Sequence, residues 1–295
     1  MATLEETVFR PPLEAESALL EISLGCSYGK CTFCRYSDGS TPLQLVPPEM
    51  LCENLEELAV KGEKAKRMFL LGGNVLAFKS RYLVDIFQLA RRYLPSVLHF
   101  SMYARADDVI EKTEDQLKEL QREGLETLYI GVESGNTQIL KNCQKGETPE
   151  EIIASLHKLD TIGIQYGLSS ILGLGGRDLW RENAIDTAAL YNRVRPVSIR
   201  VMTLTPMKGS ILADKVASGS FFLSNRHQIL EEERLLLETM AATYGPCLFV
   251  GTHVSNSIPI KGMLPEERGL MIDTLTRAIT DAGAYGRDKC RSDEW

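Results

Sequence analysis

Three cysteines stand close together near the start of the chain: Cys26, Cys31 and Cys34, in the stretch L-G-C-S-Y-G-K-C-T-F-C. Thiolates this close in sequence are soft ligands for iron or zinc. Gly25 and Gly29 let the backbone wrap them tightly. An iron–sulfur cube takes four iron ligands, so three cysteines leave one iron open to another molecule. A zinc site completed by His253 or Cys247 would use the same thiols. Structural zinc sites, however, are usually built from two paired ligand clusters, and no second C-x-x-C or H-x-x-H pair occurs in the chain. Cys52 falls on an amphipathic pattern and reads as a small core residue. Cys143, Cys247 and Cys290 have no ligand spacing, so a second cluster is not expected from them.

The elements that must position these residues alternate along the chain. A short apolar run, Leu19 to Leu24, reads as the strand that delivers the cysteine loop. Pro47 and Pro48 then open a helical pattern that ends at Gly62. Further strands are predicted at Arg67–Leu71, Val97–Tyr103, Thr127–Val132, Gln165–Leu172 and Val197–Leu204. Helices are predicted between them at Tyr82–Tyr93, Thr113–Glu123, Thr148 to about Ile162, and Asp178–Val194. Thr113 with Gln116, and Thr148 with Glu151, have capping-box spacing. Strand-then-helix units in succession imply a parallel sheet with crossover helices. No strand is followed by G-x-G-x-x-G, which favours a full or partial barrel over a doubly wound sheet.

Composition shifts after about Pro206. The remainder holds a charged helical pattern from Gln228 to Thr243, a short strand-like piece at Cys247–Val250 and a last helix from Pro265 to about Ala282. The expected organisation is therefore a core barrel with an N-terminal extension over 1–206 and a mostly helical extension over 207–295 that packs on it. The Glu231–Glu233 run reads as a solvated helix face. Residues from about Leu248 to Leu264 read as a turn-rich loop at the barrel mouth, with His253 and Asn256 as candidate substrate contacts.

The chain has 295 residues, 44% hydrophobic and 25% charged, ordinary values for a soluble enzyme. No apolar run is long enough to span a membrane, and the first residues lack the basic start and apolar core of a signal peptide. Seven unevenly placed cysteines suit a reducing cytoplasm. A net charge of −7 argues against nonspecific grip on nucleic acid or an anionic membrane.

The cysteine loop resembles that of the radical S-adenosylmethionine (SAM) enzymes, whose usual pattern is C-x3-C-x2-C with an aromatic before the last cysteine. Phe33 fills the aromatic position, while Cys26 and Cys31 enclose four residues where the pattern has three. In barrels of this type chemistry sits at the C-terminal ends of the strands. Those ends here carry Gly72-Gly73-Asn74, Tyr103-Ala104-Arg105, Glu133-Ser134-Gly135, Ser169-Ser170 with Gly173 to Gly176, and Met202 to Pro206 with Thr205. Gly72-Gly73-Asn74 is similar to the family's G-G-E-type turn at the SAM amino group, with Asn74 in place of the acid. G-V-E-S-G at Gly131 to Gly135 is similar to a segment in the branch of oxygen-independent coproporphyrinogen dehydrogenase and the methylthiotransferases, where the position of Glu133 contacts SAM. Ile171 to Gly176 matches a turn near adenine. Thr252 to Asn256, with the P-I-K-G-M-L-P that follows, resembles the tail of uncharacterised members of this branch.

The resemblance implies a partial (β/α)6 TIM-like barrel and a [4Fe–4S] cluster on Cys26, Cys31 and Cys34. It also implies SAM bound near Phe33, Gly72, Gly73, Asn74, Arg105, Glu133, Ser169 and Thr205. The implied activity is reductive cleavage of SAM to a 5′-deoxyadenosyl radical that abstracts hydrogen from substrate. A flavodoxin or ferredoxin would be the electron donor. The cobalamin-binding signature D-x-H-x-x-G is missing and the acidic balance offers no RNA-binding module, so a small-molecule substrate is expected. Two other classes stand beside this reading: an iron–sulfur protein serving electron transfer or scaffolding alone, and a zinc-stabilised barrel enzyme.

Overall fold

Apolar runs punctuated by glycine and proline become strands, and amphipathic runs opened by Pro, Ser, Thr or Asn become helices. The computed structural model describes residues 10–241 and 245–284. The strands are β1 (Ala18–Glu21), β2 (Ser23–Leu24), β3 (Gln44–Leu45), β4 (Arg67–Leu71), β5 (His99–Ala104), β6 (Leu125–Glu133), β7 (Gln165–Leu172), β8 (Ser198–Thr203), β9 (Cys247–Gly251) and β10 (Ile260–Leu264). The helices are α1 (Pro48–Val60), α2 (Ser80–Tyr93), α3 (Ala106–Glu111), α4 (Glu114–Arg122), α5 (Thr137–Asn142), α6 (Pro149–Ile162), α7 (Trp180–Tyr191), α8 (Ile211–Ala217), α9 (Arg226–Thr239) and α10 (Arg268–Ala284). The sheet order is β1-β4-β5-β6-β7-β8-β9-β10, with β2 and β3 paired separately. Neighbours β1/β4, β4/β5, β5/β6 and β8/β9 are parallel, and only β9/β10 among the paired strands described is antiparallel within this sheet. This is the expected α/β class, a mostly parallel sheet with flanking helices. No pairing of β1 with β10 closes it among the described residues.

The chain divides into two compact units over its described residues. One comprises Met1–Lys30, Asp38–Gly131 and Ala154–Gly167; the other comprises Cys31–Ser37, Val132–Ile153 and Leu168–Trp295. In the first, Phe69 sits edge-on to Tyr103 and Tyr129 at 5.2 and 5.9 Å, while Phe87 of α2 stacks on Phe100 of β5 at 4.1 Å. Such pairs add about 1 kcal/mol each beyond area burial. Buried Glu14 anchors the chain start: it accepts from Tyr129 Oη at 2.6 Å, from Arg67 at 3.3 Å and from Ser17. In the second unit, α9 packs on α7 and α10, and β9 runs parallel to β8 with Ile199 opposite Phe249.

Three expectations change. Residues from Leu248 to Leu264 are not one loop, because β9 and β10 form a hairpin whose second strand buries Ile260, Gly262 and Leu264 in strict alternation. That two-residue period is the strand signal. The Glu231–Glu233 run is not a solvated face: Glu232 and Glu233 are 0% and 1% exposed, and only Glu231 pairs outward, with Arg234. Their side of α9 is the one that packs. The helix drawn to Thr243 ends at Thr239, and Thr243 and Cys290 lie outside the described residues.

Candidate cofactor site

The cysteine loop leaves β2 through Gly25, whose φ of +79° and whose closeness to the Pro42 carbonyl, 2.8 Å from where a Cβ would sit, leave room only for glycine. In the first unit the Gly25 carbonyl accepts the Gly73 N–H at 3.1 Å, so the glycine turn after β4 holds the start of the loop. In the second unit the Cys34 N–H donates to the Cys31 carbonyl at 2.9 Å, and the Thr32 N–H to the Cys143 carbonyl at 2.9 Å. The Thr32 carbonyl in turn accepts the Leu212 N–H at the start of α8, at 2.9 Å. Phe33 packs against Ile139, Cys143, Ile171 and Leu174. Cys26, Cys31 and Cys34 are half-buried thiols outside any disulfide. Among the described residues no three His, Cys, Asp or Glu side chains converge around a single-ion site. Soft donors on a glycine-flanked loop, partly open to solvent, have the chemistry an iron–sulfur cluster needs.

Around the β4 turn the first unit gathers a polar cluster. Gly72 has φ +156°, and a Cβ there would meet Ser23 Oγ at 2.3 Å and Val75 Cγ2 at 2.9 Å. Asn74 is 2% exposed, and its Nδ2 donates to Ser27 Oγ at 2.8 Å and Asp108 Oδ2 at 2.7 Å. Arg105, 6% exposed, makes a two-pronged pair with Asp107 and lies 3.7 Å over the Tyr28 ring. Arg105 is thus buried, while the Asp107 side chain it pairs with is 39% exposed. Burial pushes the Asp108 carboxyl above its ordinary range, against the Asn74 hydrogen bond that lowers it.

In the second unit Glu133 ends β6 with φ +63°, a left-handed conformation that costs a side-chain-bearing residue about 1 kcal/mol. The cap of α5 is Asn136, whose Oδ1 accepts the Ile139 N–H at 3.0 Å, so the strained Glu133 is not there to cap a helix. Lys145, 4% exposed, lies 3.8 Å from Glu133 and 3.3 Å from Glu147. Burial, then the charges of Cys31 and Glu133, push the nearby Cys143 thiol up to about 12, so it stays protonated and donates to the Leu140 carbonyl at 3.4 Å. Behind these groups a buried network ties the G-V-E-S-G segment to the G-L-G-G turn. Ser134 donates to Asn183 at 2.5 Å, Asn183 donates to Glu232 at 2.6 Å, and Glu232 accepts the Gly173 N–H at 3.0 Å.

The other expected contacts are placed less decisively. Ser169 is half-buried, and Thr205 is exposed and bonds only weakly to the Thr203 carbonyl, at 3.4 Å. Asn256 is structurally engaged: its Oδ1 accepts from Thr203 N–H and Oγ1, and its Nδ2 donates to the Val201 and Gly251 carbonyls. It staples the turn between β9 and β10 to the end of β8, which leaves it no hydrogen for a substrate. His253 Nδ1 lies 2.7 Å from Ser255 Oγ and accepts the Ser255 N–H at 3.2 Å, and burial followed by the nearby Arg200 charge lowers its pKa.

The profile of the Radical SAM superfamily matches residues 20–188, more than half of the chain. The chain belongs to the radical SAM superfamily. It is 27% identical over 218 residues to 4′-phospho-dehydrooxetanocin synthase of Priestia megaterium, covering 66% of this chain and 29% of that one. It is 28% identical over 210 residues to tRNA-2-methylthio-N(6)-dimethylallyladenosine synthase of Fusobacterium nucleatum, covering 65% and 46%. The crystal structure of methylornithine synthase superposes with a TM-score of 0.56 at 16% identity, over 90% of this chain and 81% of that one, a likeness of fold. The chain spans less than half the length of these two curated relatives.

Radical SAM enzymes bind a [4Fe–4S] cluster and SAM, and the matched segment contains Cys26, Cys31 and Cys34. Residues that sequence reasoning passed over are Asp108, Lys145, Glu147 and Asn183. Lys145, Glu147 and Asn183 are buried polar residues in contexts that read as loop or helix surface, and Asp108 is half-buried.

Proposed function

We propose that this radical SAM enzyme holds a [4Fe–4S] cluster on Cys26, Cys31 and Cys34 and cleaves SAM reductively to act on a small molecule, with oxidoreductase or lyase outcome. When bound, the two cofactors supply one-electron cleavage of a sulfur–carbon bond and a carbon radical able to take hydrogen from substrate. The chain's own part is to bind, orient and exclude water. In the first unit Gly72 and Gly73 give a ligand close access to backbone and Asn74 and Arg105 offer it polar contacts; in the second unit Glu133 offers another. Lys145 is a buried cation suited to a carboxylate, held ready by Glu133 and Glu147. Phe33, Ser169 and Thr205 complete the set expected around the nucleoside, and His253 is a polar contact for substrate. The observation that carries the reading is the donor set: half-buried thiols on one short loop, outside any disulfide, in a segment that matches the family.

The partner would be a low-potential donor such as flavodoxin or ferredoxin, in the cytoplasm. No described helix is long and apolar enough to cross a membrane. The net charge of −7 supports a small molecule over nucleic acid. The test is anaerobic: reconstituted, reduced protein is incubated with SAM and the products are separated by mass. Formation of 5′-deoxyadenosine and methionine supports the proposal, and deuterium carried from a metabolite extract into the nucleoside then finds the substrate. Intact SAM after reduction of the cluster would reject it.

A further inference from the structure

The surface beside the cysteine loop differs in charge from the chain as a whole. In the second unit the segment that carries Cys31 and Cys34 is held by two short helices. The Thr32 N–H donates to the Cys143 carbonyl at the end of α5. At the start of α8 the Leu212 N–H donates to the Thr32 carbonyl and the Ile211 N–H to Ser37 Oγ. Residues 31–37, α5 and residues 207–226 together hold five basic residues, Arg35, Lys141, Lys208, Lys215 and Arg226, against one acid, Asp214. Five against one leaves +4, in a chain whose net charge is −7. Lys141, Lys208 and Arg226 are exposed and Lys215 is half-buried, and none of these four forms an ion pair among the described residues.

The same stretch exposes apolar side chains: Met207, Phe222 and Leu223. They stand on a fixed loop. The Ser220 and Phe221 N–H groups donate to the Lys215 carbonyl, and the Arg177 N–H donates to the Phe222 carbonyl at 3.0 Å. The Arg177 guanidinium, itself paired with Asp178, lies 3.9 Å over the Phe222 ring. Apolar side chains with charged ones about them are the anatomy of a protein–protein interface. A nucleic-acid interface is much more positive, and the net charge of the chain opposes one. The partner that fits therefore carries an acidic face. What it brings follows from where it sits: Arg35 adjoins Cys34, so a protein docked here lies close to that thiol.

We propose that this face of the second unit, made by the Arg35 segment, the end of α5 and residues 207–226, docks an acidic one-electron carrier protein. This rests on the reading that Cys31 and Cys34 help hold a cluster that must be reduced. In the docked pair the carrier loses one electron and the cluster gains it, with no bond made or broken at that step. Opposite charges speed the encounter and set its orientation, and an electron-transfer contact needs only a small area. The negative charge carried by the rest of the chain disfavours docking elsewhere.

The test uses anaerobically reconstituted holoprotein with an acidic flavodoxin as the probe. Binding of oxidised flavodoxin is measured by calorimetry, and reduction of the cluster by reduced flavodoxin is followed by stopped-flow loss of visible absorbance. At low salt, Lys141→Glu with Lys215→Glu weakens binding and slows reduction on the order of tenfold to a hundredfold, and high salt removes most of the difference. Lys64→Glu with Lys66→Glu, the same change of charge at exposed positions before β4, leaves both near wild type. With dithionite as reductant all three proteins form 5′-deoxyadenosine at the same rate. Equal loss in the two double variants, no loss in the first, or wild-type reduction that ignores salt overturns the docking face. Equal slowing of the first variant with dithionite overturns it too, since the lysines then serve the fold or the site. A transfer RNA held by wild type and released by Lys141→Glu with Lys215→Glu, with no flavodoxin bound, overturns it in favour of nucleic acid. Wild type whose cluster is reduced by dithionite but leaves SAM intact rejects the proposed function, and the flavodoxin measurements still decide the docking face.

Discussion

Glu233 gives the sharpest physical prediction outside the cofactor loop. Its carboxyl is 1% exposed, its Oε1 has no hydrogen-bond partner, and that atom lies 2.6 Å from where a Cβ on Gly251 would be. Burial, reinforced by the adjacent Glu232, pushes its pKa from 4.5 up to about 8. Burial pushes Glu232 up to about 8 as well, but it has the Gly173 N–H and the Asn183 amide to stabilise a charge, so it is the better carboxylate of the pair and Glu233 the better acid. Because the folded pKa is raised, the contribution of Glu233 is full below about pH 4.5 and is lost as pH rises through about 8. The gap corresponds to on the order of 5 kcal/mol in all, of which roughly 2–3 kcal/mol falls between pH 6 and pH 9. Glu233→Gln keeps the shape and removes the titration. Its stability relative to wild type should therefore rise by about 2–3 kcal/mol across that interval. The assay is anaerobic urea unfolding followed by circular dichroism at several pH values. Parallel pH curves for the two proteins would refute the reasoning, since they would mean that Glu233 ionises in the fold as easily as in the unfolded chain.

Three further outcomes follow from the same geometry. Lys145→Met removes a buried cation beside buried Glu147 and half-buried Glu133 and should cost roughly 3–5 kcal/mol in urea unfolding; a loss below about 0.5 kcal/mol would place Lys145 in solvent. Gly72→Ala puts a methyl against Ser23 Oγ and Val75 and should lose about 1–3 kcal/mol together with SAM affinity by dialysis; full retention of both would show that the turn is not closely packed. Asn256→Ala should release the β9–β10 turn from Thr203 and speed amide hydrogen exchange at Thr203, whereas unchanged exchange there would mean the staple is idle.

The parts of the fold that sequence made legible are those where local chemistry and tertiary position agree. Gln165–Leu172 is a strand between the expected residues, and Thr113 with Gln116 closes both bonds of its capping box. The buried acids of α9 were illegible for a physical reason. Three successive glutamates read as a wet face, and burial is decided by Gly173 and Gly251, far away along the chain, coming under that helix. Lys145 was hidden in the same way, as one lysine in N-C-Q-K-G-E, until the fold set it between Glu133 and Glu147. β10 is only five residues long and flanked by Pro259 and Pro265, so its alternation was masked by turn formers. At the cofactor site the thiols and glycines announced themselves by type and spacing, while Asn74 revealed its partner only when α3 brought Asp108 to it.

The central claim is that Cys26, Cys31 and Cys34 together hold the cluster in spite of the four residues between the first two. It is tested most directly by iron and sulfide analysis of the anaerobically reconstituted protein and its single cysteine-to-alanine variants. Wild type should carry about four iron and four sulfide per chain, and each variant should lose most of both, because two thiolates do not hold a cube. A Cys31→Ala protein with full iron, full sulfide and an unchanged visible spectrum would contradict it.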